Sequence, residues 1–435
     1  MNKKMLLKDL CFEDAWGQYG IPASAEEYDI NKVRYLRITD ISDHGDLLHN
    51  DKKSVSAYDI DKYFLKEGDI VFARTGNSTG RTYYHESKNG TLAFAGFLIK
   101  YSLDENKINP KYLKFYTISN EYKAWVKNLS VGSTRGNINA QTFGNCPITV
   151  PIRHQQDLLV KTLSILSDKI DLNNRIIAEL QAMVSTLYEY WFLQFDFPDN
   201  SNKPFKANRG KLVWNKKLKK DIPFNWGEKS LSELTTISSE SVNPLTSPDK
   251  AFKHYSIPAY DENESYKIEK GVEIRSNKFT VRESDLLVSK LNPWFNRVVY
   301  GKKEEDAICS TEFVVWRPEN TAIKNYLNIV ARSAEFISYC SQSATGTSNS
   351  HKRVNPTVMM QFNVPFNKEI VEKFGNQINP AILMIEKNKT ENRTLSELRD
   401  WLLPMLMNGQ VKVNAAEEKL SMAAESKGEY KSRNK

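Results

Sequence analysis

The sequence predicts an α+β protein in which two similar strand-rich globular parts are separated by two long antiparallel coiled-coil helices, a pseudo-two-fold internal repeat. Three observations predict this class. Segments of the second half return to the pattern of the first about 215 residues later, a period too long for a solenoid. Short β-branched and aromatic runs punctuated by turns fill both candidate globular parts. Over residues 154–195 Gly and Pro vanish, and apolar residues recur at alternating steps of four and three.

The repeat keeps a nearly constant register. Gly68-Asp69-Ile70-Val71-Phe72 answers to Ser284-Asp285-Leu286-Leu287-Val288, and Asn109-Pro110-Lys111-Tyr112-Leu113 to Lys324-Asn325-Tyr326-Leu327. Ile148-Thr149-Val150-Pro151 answers to Phe362-Asn363-Val364-Pro365, and Asn173 and Leu187 to Asn388 and Leu402. Two copies of one domain-sized unit suit a target that also comes in two halves.

At 435 residues each half is long enough to bury its own core. A net charge of +8 is compatible with a polyanionic partner. Twenty Tyr and 20 Phe argue for a folded chain. Cys11, Cys146, Cys309 and Cys340 form no C-x-x-C pair, so buried thiols in a reducing compartment are expected. No run approaches the ~20 apolar residues of a membrane span, and no signal peptide opens the chain, so a soluble cytoplasmic protein is expected.

The first part, 1–152, contains candidate strands at 33–38, 69–73 and 94–100 and a candidate helix over 109–125. The first long helix, 153–196, carries Leu159, Leu163, Leu166, Ile170, Asn173, Ile177, Leu180, Val184, Leu187 and Trp191 as a heptad seam. Residues 197–222 read as a linker rich in turn formers, with a basic cluster at 216–220. The second part is 223–366. The second helix, 367–413, places Ile385, Asn388, Leu395 and Leu402 in the equivalent seam, with Pro380 expected to kink or split it. Asn173 and Asn388 are expected near the centre of an antiparallel pair, fixing its register. Residues 414–435 read as a disordered tail.

Catalytic patterns are missing. Asn292-Pro293-Trp294-Phe295 lacks the second proline of the adenine amino-methyltransferase motif, and no S-adenosylmethionine loop occurs. Gly76-Asn77-Ser78-Thr79-Gly80-Arg81-Thr82 has Arg where a phosphate loop needs Lys. No catalytic residue, metal site or cofactor is expected. The chain reads as one that binds and positions.

Several segments together resemble the specificity subunit of type I restriction–modification systems. Residues 168–176 followed by Trp191-Phe192-Leu193-Gln194-Phe195-Asp196 resemble the family's first conserved region. Residues 392–411, with Leu402-Leu403-Pro404-Met405-Leu406, resemble its second. Asp221-Ile222-Pro223-Phe224-Asn225-Trp226 resembles the opening of a recognition domain, and Gly68-Asp69-Ile70-Val71 with Arg74-Thr75-Gly76 a strand and loop of one. The resemblance implies two target recognition domains, each reading one half of a split site on double-stranded DNA. It also implies that the helices set the spacing and dock two methyltransferase subunits, and through them the motor-nuclease restriction subunits. The alternative is a two-domain coiled-coil scaffold that binds protein and never DNA.

Groove edges are read by Arg, Lys, Asn, Gln, Ser and Thr, and phosphates by basic groups and backbone N–H. In the first part these types gather at Arg74, Thr75, Asn77, Ser78 and Arg81, and at Ser133, Thr134, Arg135 and Asn137. In the second they gather at Lys290, Asn292, Asn296 and Arg297, and at Thr345, Thr347, Ser348, His351, Lys352 and Arg353.

Overall fold

A computed structural model describes residues 3–48, 51–130, 137–199, 201–346 and 351–407. The chain forms two compact units: Met1–Ile170 with the chain from Thr394 onward, and Asp171–Arg393.

The strands of the first unit are β1 (Lys3–Leu6), β2 (Cys11–Tyr19), β3 (Glu26–Glu27), β4 (Val33–Leu36), β5 (Lys53–Val55), β6 (Asp69–Ala73), β7 (Thr82–Tyr84), β8 (Leu92–Phe94), β9 (Leu98–Leu103) and β10 (Pro147–Val150). They form the sheets β2-β9-β6-β7 and β3-β5-β4-β8, and an antiparallel pair β1-β10. Strand β6, Asp-Ile-Val-Phe-Ala, lies between two neighbours, and every residue in it is buried. Its Phe72 ring meets Tyr101 at 5.2 Å and Phe143 at 5.1 Å, edge-rich contacts at the centre of the core. The apolar run at 94–100 is two strands, because the chain turns between them: Leu98 N–H donates to Ala95 C=O at 2.8 Å.

Helices α1 (Pro110–Tyr116), α2 (Asn120–Ser130) and α3 (Ala140–Gly144) follow. Asn109 caps α1, accepting from Lys111 N–H, with Pro110 at the first turn. The expected single helix over 109–125 is therefore two. Thr117 ends α1, and the Ser119 hydroxyl accepts from Tyr122 N–H at 3.4 Å to start α2, the local competition that Ser and Thr offer to a continuing helix.

Helix α4 (Arg153–Tyr188) is 36 residues long. In the second unit come β11 (Leu212–Asn215), β12 (Lys220–Pro223), β13 (Gly227–Ser230), α5 (Leu231–Leu234), β14 (Thr235–Ser238), β15 (Ser241–Val242), β16 (Ala251–Tyr255), α6 (Ile257–Asn263), β17 (Lys267–Lys270), β18 (Lys278–Thr280), β19 (Leu286–Ser289), β20 (Val298–Tyr300), β21 (Ala307–Cys309), β22 (Phe313–Pro318), α7 (Thr321–Val330), α8 (Ala334–Gln342), α9 (Pro356–Met359), β23 (Asn363–Phe366) and α10 (Lys368–Met407). The sheet β14-β22-β19-β20 has the connectivity of β2-β9-β6-β7, and β13-β23 that of β1-β10. The parallel pair β16-β21 answers to β4-β8.

The segment read as a linker is instead part of the second unit's core. Phe197 is buried and stacks on Phe205 at 4.8 Å and Trp226 at 5.0 Å, while β11 and β12 pair as a hairpin around the basic cluster. Aromatic burial outweighs the turn-rich composition here.

Both long helices contribute to each unit. In the first, Leu159, Leu163 and Leu166 pack with Leu402, Leu403 and Leu406, with Leu395 at the edge. In the second, Val184, Tyr188, Trp191 and Phe192 pack with Phe374, Ile378, Ala381 and Ile382, with Leu180 and Leu187 beside them. There the helices run antiparallel, since Asn173 meets Asn392 while Tyr188 meets Phe374. Ile177, Ile385 and Asn388 are buried, and Ile170 is half-buried.

Two seam expectations are corrected. Asn173 is buried, but it donates to Asn392 Oδ1 at 2.9 Å and Glu391 Oε2 at 3.1 Å, not to Asn388. Nor does Pro380 split α10, which runs unbroken for 40 residues. The proline and Asn376, whose carbonyl it leaves without an N–H, both lie on the exposed side, where an unpaired carbonyl costs little. The expected tail at 414–435 lies outside the described residues.

Candidate nucleic-acid interface

In the first unit β6 runs into a short closed loop. Ala73 N–H donates to Arg81 C=O and Gly80 N–H to Ala73 C=O, both at 2.8 Å, around a 3-10 turn at Gly76–Ser78. Gly80 sits at φ +88°, and a Cβ there would lie 2.6 Å from Val126 Cγ1, so both backbone and space require glycine.

Arg74 leaves this loop toward Asn137. Its Nε donates to Asn137 Oδ1 at 3.2 Å, its guanidinium lies over the Tyr19 ring at 5.0 Å, and its carbonyl accepts from Ile138 N–H at 2.9 Å. The two predicted clusters are thus brought together at Arg74 and Asn137. Asn77 is exposed at the tip and Thr75 half-buried. Ser78 is buried, and Arg81 is held by Asp43 at 2.6 Å and by the Ile41 carbonyl at 3.1 Å, so both build the loop. Ser133, Thr134 and Arg135 lie outside the described residues.

The second unit repeats this arrangement. Ser289 N–H donates to Arg297 C=O at 3.0 Å, as Ala73 does to Arg81. Val354 N–H donates to Lys290 C=O at 3.0 Å, as Ile138 does to Arg74. Asn292 and Asn296 bracket a 3-10 turn at Pro293–Phe295, both left-handed at φ 46° and 47°, a conformation Asn tolerates well. Asn292 N–H donates to Lys352 C=O at 2.7 Å, and Lys352 N–H to Asn292 Oδ1 at 3.0 Å. Thr345 and Arg353 exchange backbone hydrogen bonds at 2.9 and 2.8 Å. These contacts join the 290–297 loop with Thr345, Lys352 and Arg353 into one surface. Thr347 and Ser348 lie outside the described residues.

Two arginines of this surface are already paired. Arg297 is buried, with Nε 2.5 Å from Asp261 Oδ1 and Nη2 2.9 Å from Oδ2. Arg353 is bidentate on Glu312 at 2.9 and 3.0 Å, and this hydrogen bonding raises its pKa. Their geometry supports loop positioning for Arg297 and a rim contact for Arg353. His351 is exposed and Lys290 and Lys352 are half-buried.

The predicted clusters omitted aromatic neighbours. Tyr19 and Phe97 are exposed around Arg74, and Phe97 C=O accepts from Arg74 N–H at 3.0 Å. Trp294 and Phe295 are exposed on the turn between the two asparagines. The legible signal for the second pair was two large aromatics inside an otherwise polar loop. Tyr19 carried no such signal, being brought in from a distant strand.

Among the described residues no group of His, Cys, Asp or Glu is placed to hold a metal ion, and no helix is long and apolar enough to cross a membrane. The four cysteines are buried thiols, with Cys146 pushed up to about 12 by burial.

Two units of like connectivity, each with a joined pair of polar loops, define a class of two-module proteins. Residues 3–182 match the family described as type I restriction modification DNA specificity domain. The MjaIX specificity subunit of Methanocaldococcus jannaschii is 23% identical over 76% of this chain and 75% of its own. The HindI specificity subunit of Haemophilus influenzae is 20% identical over 80% and 88%. The crystal structure of the type I S subunit from M. genitalium shares the fold, with a TM-score of 0.51 at 14% identity, over 93% of this chain and 96% of that one. Residues 3–182 thus carry a type I restriction modification DNA specificity domain, and the chain as a whole is similar to specificity subunits.

Proposed function

We propose that this protein is the DNA specificity subunit of a type I restriction–modification complex, each unit reading one half of a bipartite site on double-stranded DNA. The observation that carries the reading is the repeated loop junction. Arg74 with Ile138, and Lys290 with Val354, make the same backbone bond at the same repeat position. Each junction gathers Arg, Asn and Thr side chains, and the second adds Lys290 and Lys352, all types that read groove edges or phosphates. The net charge of +8 agrees with a polyanionic partner.

On this reading the two units are copies of one recognition domain, and α4 and α10 form a coiled-coil spacer that sets the gap between half-sites. The helices also dock two methyltransferase subunits, and through them the restriction subunits. Catalysis belongs to those partners, and the work is done in the cytoplasm.

The test is to co-express the chain with its methyltransferase subunit and map N6-methyladenine across the host genome. A single bipartite motif with a fixed gap is expected. A stable complex that leaves no motif would overturn the reading.

A further inference from the structure

Resting on the DNA-reading function above, we propose that Trp294 and Phe295 form an aromatic wedge that stacks on an opened base step in the half-site read by the second unit. The pair is displayed to solvent, Trp294 40% and Phe295 58% exposed, with ring centroids 6.0 Å apart. Large exposed aromatics side by side on a polar loop lose free energy in water and call for a flat apolar partner. Base faces are such partners, and apolar side chains inserted between base steps are an established way of bending a duplex.

The mounting is rigid, as a wedge requires. Pro293 opens the turn, and left-handed Asn292 and Asn296 close it on both sides. The turn packs against α8, and Asn292 bonds the Lys352 backbone in both directions. Beneath the Phe295 ring, 4.7 Å from its centroid, lies the Arg297 guanidinium, itself held by Asp261. The inner face of the ring is thus covered by a cation, and the exposure of Phe295 leaves room for a base on the other. Lys290, His351 and Lys352 stand on the same joined surface, so the wedge sits among groups suited to phosphate and base edges and not on a separate apolar face.

The first unit differs at this point. Ser78 and Thr79 occupy the positions answering to Trp294 and Phe295, and Ser78 is buried. The two half-sites are therefore treated unequally, with distortion confined to one.

The experiment uses the full chain in complex with its methyltransferase subunit, on duplexes of the mapped motif carrying 2-aminopurine at successive positions of both halves. Fluorescence is expected to rise on binding at one step of one half only. Phe295→Ala and Trp294→Ala are expected to abolish that rise and weaken binding at least about tenfold, with the salt dependence unchanged because no phosphate contact is lost. Phe295→Leu, which keeps an apolar side chain without the ring, should fail to restore the signal. Wild-type fluorescence that stays quenched throughout, or alanine variants that bind as wild type does, overturns the wedge while leaving DNA reading intact. Loss of the methyltransferase subunit from the variants, with DNA affinity kept, also overturns it and assigns the pair to a protein contact. If wild type binds no duplex, the underlying reading fails and the wedge with it.

Discussion

Arg81 and Arg297 occupy the same repeat position, and each is pinned by an aspartate of its own unit: Arg81 Nε to Asp43 at 2.6 Å, and Arg297 Nε to Asp261 at 2.5 Å. Each arginine's carbonyl also closes the loop it ends, accepting from Ala73 or Ser289. Position and pairing together make this arginine the clasp of the candidate reading loop.

Arg297→Ala removes the clasp and leaves Asp261 without its fork partner. Because the Asp261 side chain is 47% exposed, the loss is smaller than for a fully buried pair, about 2 kcal/mol. Arg297→Lys should recover little, since an ammonium cannot make the bidentate contact. Denaturant unfolding measures the stability. Protection of the half-site read by the second unit should fall while that of the other half stays, and equal loss at both halves would contradict the assignment.

Lys352 and Arg353 are adjacent but differ in what holds them, for Arg353 is already bidentate on Glu312. Lys352→Ala is expected to weaken binding across sequences and lower the slope of log affinity against log salt by about 0.9, the value of one released phosphate contact. Arg353→Ala should change the slope less. Salt titration of duplex binding checks both, and a steeper effect from Arg353 would reverse their roles.

The two seam asparagines are expected to behave in opposite ways. Asn173→Leu leaves Asn392 and Glu391 facing an apolar group and should cost about 1–3 kcal/mol. The Asn388 amide nitrogen has no hydrogen-bond partner among the described residues, so Asn388→Leu should raise stability by about 1 kcal/mol. Melting temperatures of the two variants decide, and a shift in the same direction for both would show that they act as one pair.

His85 is buried beside Tyr83, and burial lowers its pKa despite the opposing pull of Asp69, Glu67 and Glu86. The folded state therefore binds its proton less readily than the unfolded chain. The sign follows: stability from this site is complete above about pH 6.5, the ordinary histidine value, and is lost as pH falls through the lower folded value. His85→Gln should flatten that acid limb of a stability-against-pH curve, and an unchanged limb would remove His85 from the account.

Much of the fold was legible because it rested on periodicity. The seam residues Leu159, Leu163 and Leu166 are buried as their spacing implied, and β6 and β19 fall on the repeated Asp-plus-apolar runs. What failed depended on tertiary context. Phe197 and Phe205 turned a linker-like composition into core, and Pro380 was harmless because it and Asn376, whose carbonyl it frees, lie on the exposed side of the helix. The candidate site was legible as residue types near two loops. The acids that neutralise them were not, because Asp43, Asp261 and Glu312 come from distant segments with no local signature. The partner of Asn173 was missed for a related reason: a heptad pattern fixes the face of a helix but not the register of its neighbour.

The second unit is one unbroken stretch of chain, whereas the first takes its core from both ends, joining Leu159, Leu163 and Leu166 to Leu402, Leu403 and Leu406. Synthesis proceeds from the N-terminus, so the half made first is the half completed last. Until the final turns of α10 leave the ribosome, an apolar stripe of α4 stays uncovered, a state that invites aggregation or capture by a chaperone. Chains truncated after Arg393 and released from the ribosome should accordingly resist protease over 171–393 and be cut within 1–170, an order of maturation written into the connectivity alone.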